Sequence, residues 1–275
     1  MPAFARPGPA QAPGLGAAHS WALGALLVAL SVLAWAALWW WSASPYGRYA
    51  AHGGWTDLAF VAALCRALPQ GSIVVPAVLH ALAWVLMIAA MMLPTTYPLL
   101  ALFRRIVGGR PDAAMLVGLV VAGFFAVWFV FGLVAHGADE LLVRAAARSP
   151  QLASHGWLLG AALLAGAGAF QFSALKYRCL EECHTPFSFV TARWHGRSPQ
   201  REAWRLGIDH GLFCVGCCWA LMLVMFVVGT GSLGWMLVLA AVMAAEKNLP
   251  RGRWLRAPLG FGLVGLAAAI VVTHL

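Results

Sequence analysis

Five of the six cysteines in this 275-residue chain fall between positions 179 and 218. They are Cys179, Cys183, Cys214, Cys217 and Cys218, and His184 and His210 lie in the same stretch. The later part reads His210-Gly-Leu-Phe-Cys-Val-Gly-Cys-Cys-Trp219. On a helix, His210, Cys214, Cys217 and Cys218 stand at i, i+4, i+7 and i+8, which puts them on one face. Met222 and Met225 continue the same stripe. One seam thus offers an imidazole, three thiols and two thioethers. Cys179 and Cys183 are again four apart and share a face if their helix continues past the fourth apolar segment. A single buried thiol is ordinarily packing, because free cysteine behaves as a small hydrophobe. Five thiols at helical spacing, headed by histidine, point instead to metal or redox chemistry. Cys65 stands apart and reads as packing.

Softness selects the metal. Thiolate and thioether ligands favour Cu(I), with Zn(II) the usual competitor for Cys/His sets. Met87 and Met91 share a helical face with His80 and Trp84, and Met236 and Met243 lie seven apart before Glu246-Lys247. Copper is therefore the expected metal, as Cu(I), and zinc the alternative. Glu246 reads either as an interfacial ion pair with Lys247 or as a partner orienting a metal-bound histidine. The expected metal set is Cys179, Cys183, His184, His210, Cys214, Cys217, Cys218, Met222, Met87, Met91 and Glu246. No catalytic residue is assigned, and the sequence leans away from an enzyme.

The elements that must hold these residues are membrane helices. The chain is 62% apolar and only 10% charged, with a mean hydropathy of +0.81, whereas soluble domains carry about a quarter charged residues. That composition excludes a soluble globular enzyme and a disordered chain. A bilayer core about 30 Å thick needs roughly 20 apolar residues per helix. Seven segments meet that length or nearly so: Trp21–Trp41, Val78–Phe103, Met115–Val134, Trp157–Leu175, Leu206–Val228, Trp235–Lys247 with its flanks, and Pro258–His274. The expected fold is an all-α polytopic bundle of about seven transmembrane helices, forming one domain over 19–275. Residues 1–18, rich in Pro, Ala and Gly, read as a disordered lead-in. The run 55–68 holds Asp57 and Arg66 and reads as an interfacial or re-entrant helix.

Glycines at 156, 160, 166 and 168 give the fourth segment a small-xxx-small face for close helix approach. Pro94 and Pro98 interrupt the second, where the Thr95 and Thr96 hydroxyls can satisfy freed carbonyls. No internal repeat is evident, which weighs against a transporter built from inverted halves.

Loop charges set an expected orientation. Of the 18 Lys and Arg, fourteen fall on one side. These are Arg6, Arg104, Arg105, Arg110, Lys176, Arg178, Arg193, Arg197, Arg201, Arg205, Lys247, Arg251, Arg253 and Arg256. The positive-inside rule places them, and the N-terminus, in the cytoplasm. The net charge of +9 then reports orientation and no nucleic-acid partner. The clustered thiols fall on the reducing side, which argues against a structural disulfide.

Met87-Ile-Ala-Ala-Met-Met-Leu-Pro94, Lys176-x-x-Cys-Leu-x-x-Cys183, His210-Gly-x-x-Cys-x-Gly-Cys-Cys-Trp219 and Glu246-Lys247 together resemble the DUF2182 family over roughly 78–250. His184 stands where that family often carries a basic residue. The resemblance implies a metal-binding integral membrane protein of the bacterial inner membrane, with no settled reaction. The leading expectation is Cu(I) handling for storage, delivery or assembly, with a membrane metalloprotein or copper chaperone as partner. Soft-metal transport is the alternative, as is thiol redox chemistry at Cys214-x-x-Cys217.

Overall fold

The computed structural model describes residues 14–43, 74–149, 151, 154–228, 232–249 and 251–275. Residues 1–13 of the lead-in, the run 55–68 and Cys65 lie outside the described residues. Among those described, every regular element is helical. Helix α1 covers Gly14–Ala43 and α2 covers Val74–Met91; a 3-10 turn at Pro94–Thr96 leads into α3, Tyr97–Val107. Helix α4 spans Ala113–Arg148, α5 Gly156–Phe170, α6 Ala174–His184 and α7 Pro186–Thr191. Helices α8, Pro199–Val228, and α9, Leu233–Asn248, precede a second 3-10 turn and α10, Arg256–His274.

Four helices are long and apolar enough to cross a membrane, within α1, α4, α8 and the stretch containing α10. Two more spans result if each bent pair counts as one: α2 with α3, bent by 46°, and α5 with α6, bent by 60°. Among the described residues the count is thus four to six, and the expected seven are not confirmed. The shortfall is α9, whose 16 residues rise about 24 Å at 1.5 Å per residue, short of the hydrocarbon thickness.

The first bend follows from proline. Pro94 has no N–H for the carbonyl of Ala90, four residues back. The hydroxyl of Ser31, from α1, donates to that carbonyl at 2.9 Å. Thr95 and Thr96 donate to Met92 O and Leu93 O, each at 2.7 Å, as the sequence leads one to expect. The second bend is capped: Ser173 Oγ accepts from Lys176 N at 3.1 Å, and Arg256 Nε donates to Gln171 O at 3.0 Å.

Helix α8 is the centre of the bundle. Of its most apolar window 67% is buried, against 22% for α1 and 17% for the stretch containing α10. Its principal partner is α4, and α6, α5 and α9 also pack on it. Gly207 and Gly123 permit the α4 crossing. A Cβ on Gly207 would stand 2.1 Å from Val120 O, and one on Gly123 2.5 Å from Trp204 O. The small-residue face of α5 serves α10 in the same way, with a Cβ on Gly168 only 2.7 Å from Val264 Cγ2. The N-terminus of α8 is fixed by Glu202, whose carboxylate accepts from the backbone N–H groups of residues 195–198 at 2.7–3.0 Å. Those donors belong to the turn just ahead of Pro199, so Glu202 ties the incoming loop to the first turn of α8.

Candidate metal centre

The predicted seam on α8 exists and is sealed. Cys214, Cys217 and Cys218 are 0–1% exposed and share one core cluster with Met222, Met87, Met91 and Cys179. Cys217 Sγ donates to Cys214 O at 3.2 Å, one turn back, and lies 3.4 Å from Cys218 Sγ. Helix α6 brings its thiols to the same place. Cys179 is buried in the same core cluster and Cys183 packs against it. Gly216 makes that approach possible, since a Cβ there would stand 2.6 Å from Cys179 Sγ. The glycine inside Cys-Val-Gly-Cys-Cys is therefore a seat for a thiol from the neighbouring helix.

Two lysines that the loop count assigned to an aqueous boundary are inside. Lys176 is 0% exposed and Lys247 5%. Lys176 Nζ donates to both carboxylate oxygens of Glu246, at 3.0 and 2.7 Å, and also to Gln171 Oε1. Glu246 thus pairs with Lys176 from α6 and not with Lys247. Adjacent helical residues point about 100° apart and do not face each other. Lys247 reaches the other way, placing Nζ 2.7 Å from Cys214 Sγ, 3.5 Å from Thr95 Oγ1 and 3.9 Å from Met92 Sδ. The bend at Pro94 is what delivers Met92 and Thr95 to this point. The indole N–H of Trp128, in the same core cluster as Cys214, is buried with no hydrogen-bond partner among the described residues.

The histidines take different roles. His184 Nε2 lies 2.7 Å from Glu246 O. A carbonyl only accepts, so Nε2 carries the proton, and in the neutral ring Nδ1 keeps its lone pair. That is the usual way a metal-binding imidazole is oriented from behind. His210 lies one turn before Cys214 but is held between aromatic rings. It stacks on Phe124 at 5.7 Å and meets the edge of Phe189 at 5.8 Å, and its buried Nδ1 has no hydrogen-bond partner among the described residues. Next to it, Asp209 is bonded by Arg193 Nε at 2.9 Å.

Among the described residues, no three His, Cys, Asp or Glu side chains are gathered as a ready ligand set. The thiols are neighbours whose polar contacts are made with one another, with the backbone and with Lys247. The donor chemistry nevertheless suits a soft monovalent ion: thiols and thioethers line the core, while the Glu246 carboxylate is engaged by an ammonium. Sequence reasoning missed Lys176, Lys247, Met92, Trp128 and Gln171. For the two lysines the signal was present, since both stand in the motifs quoted for the family resemblance.

The described residues thus form a helical bundle with several membrane-length apolar helices and a core that carries thiols and a buried lysine. Comparison with protein families agrees: a family model described as PpoB2, copper chaperone, matches residues 81–270, and the chain belongs to that family. The expected resemblance over 78–250 lies almost wholly inside this match. Comparison with curated proteins and with solved structures gave no match.

Proposed function

We propose that this chain binds Cu(I) as cargo through the thiols that α8 and α6 bring together, and passes it to a membrane metalloprotein during its assembly. The observation that carries this reading is the packing of Cys214, Cys217 and Cys218 with Cys179 and Cys183 in a core where the Glu246 carboxylate is already taken up by Lys176. Membership of a copper chaperone family supports it. In this reading the ligands are drawn from those thiols. His184 Nδ1 and the thioethers of Met222, Met87 and Met91 are further soft donors, and Glu246 acts by fixing Lys176 and His184. His210 receives the ion on its way to Cys214, one turn along the helix. The protein resides in the bacterial inner membrane with its N-terminus and basic loops in the cytoplasm, and the donor is a cytoplasmic copper chaperone.

Elemental analysis of the detergent-purified protein after Cu(I) loading tests this against the Cys214→Ala/Cys217→Ala variant. Copper is expected in the native chain and absent from the variant. A native chain that stays metal-free, or a variant that loads equally, would sink the proposal. Zinc in place of copper would move it to the zinc alternative.

A further inference from the structure

We infer that Lys247 is the counter-ion of the loaded site, its ammonium making an anionic cuprous bis-thiolate electrically neutral inside the helical core. This rests on the copper reading above and adds to it a residue that is not a ligand.

Charge arithmetic in a core of low polarity leads there. Lys176 and Glu246 neutralise each other, both at or near complete burial. Lys247, also buried, is in no salt bridge among the described residues, and its shortest polar contact is with Cys214 Sγ at 2.7 Å. A thioether and a hydroxyl also lie beside it, and Cys217 and Cys218 belong to the same core cluster as Cys214. A buried ammonium without an anion is costly, so such residues at membrane depth have a function and a named partner. Here the nearest polar atom is sulfur, the atom that becomes anionic when it binds Cu(I).

The loaded state extends the same balance. Cu(I) bound by two thiolates carries one negative charge, which Lys247 cancels. On loading, Cu(I) enters, two Cu–S bonds form and two thiols give their protons to solvent, so the complex gains one negative charge at the point where Lys247 Nζ already stands 2.7 Å from Cys214 Sγ. A neutral residue at 247 leaves the cuprous complex as an uncompensated buried anion.

The test is competition for Cu(I) between the detergent-purified full chain and a colorimetric Cu(I) chelator, using Lys247→Leu, Lys247→Arg and Lys247→Ala. Leucine suits the apolar surroundings and is expected to keep the fold, checked by melting, while lowering Cu(I) affinity about 100-fold, as expected for loss of a buried charge partner. Arginine, which keeps the charge, is expected to stay within about 10-fold of native. Lys247→Ala removes the side chain, and n-butylammonium added to it should restore affinity where n-butanol, of equal size and no charge, should not. Equal or tighter binding by Lys247→Leu, or equal rescue by the alcohol, overturns the counter-ion role and leaves copper binding standing. A native chain that takes up no Cu(I) overturns the copper reading itself.

Discussion

At the scale of the residue, the decisive contacts are between side chains that sequence alone assigns elsewhere. Lysine is almost never fully buried unless paired, which is why Lys176 and Lys247 count as loop charges when only the chain is read. Their partners come from other elements: Glu246 lies 70 positions from Lys176, and Cys214 lies 33 from Lys247. The thiols were legible because residue type and 3.6-residue periodicity suffice to place Cys214, Cys217 and Cys218 on one face. The direction in which Glu246 points was not, because it depends on where α6 sits. A prediction follows for this pair. Glu246→Gln strands the Lys176 ammonium in the core and is expected to destabilise the protein by about 3–5 kcal/mol, whereas Lys176→Met/Glu246→Leu, which removes both charges, should cost far less. Thermal or denaturant unfolding in detergent, read by tryptophan fluorescence, decides it. A single variant as stable as the native chain would show that the pair contributes little.

At the scale of the element, composition located the apolar segments, while their breaks depend on a few hydrogen bonds. Pro94 signals an interruption, yet the 46° bend and its use as a platform under Lys247 need Ser31 from α1 and the two threonines. The bend after α5 carries no proline, and only the Ser173 cap marks it. The crossing of α4 and α8 was written in Gly207 and Gly211, four apart, but glycine names no partner; Val120 O and Val127 supply it. Gly207→Val should therefore force the helices apart at the turn just before His210 and lower stability by about 1–3 kcal/mol, the usual range for overpacking. Unfolding measurements check the loss. Copper stoichiometry of the folded fraction then tells whether the displaced α8 still presents its thiols. A variant as stable as native would mean that the two backbones slide apart without cost.

At the scale of the whole molecule, the all-helical class was fully legible from composition, and the count of spans was not. Hydropathy windows cannot separate α9, a short helix holding two buried charged residues at its end, from a true span. Orientation remains an expectation resting on Arg193, Arg197, Arg201, Arg205 and the other basic loop residues. Arg197 is exposed beside the start of α8, so Arg197→Cys is a suitable reporter. A membrane-impermeant maleimide should label it, above the background of the native chain, only in inside-out vesicles; labelling in intact spheroplasts would reverse the topology.

The sealing of Cys214, Cys217 and Cys218 has a kinetic side. With neither water nor bulky chelator able to reach sulfur directly, exchange with solution is limited by opening of the helices and not by the strength of the metal–sulfur bonds. Such a site holds its ion as a stopcock holds gas. Copper measured soon after mixing will report the opening rate, and loading and unloading must converge from both directions before either gives an affinity. By the same physics, the recipient that collects the ion fastest is one that parts α6 from α8 as it docks.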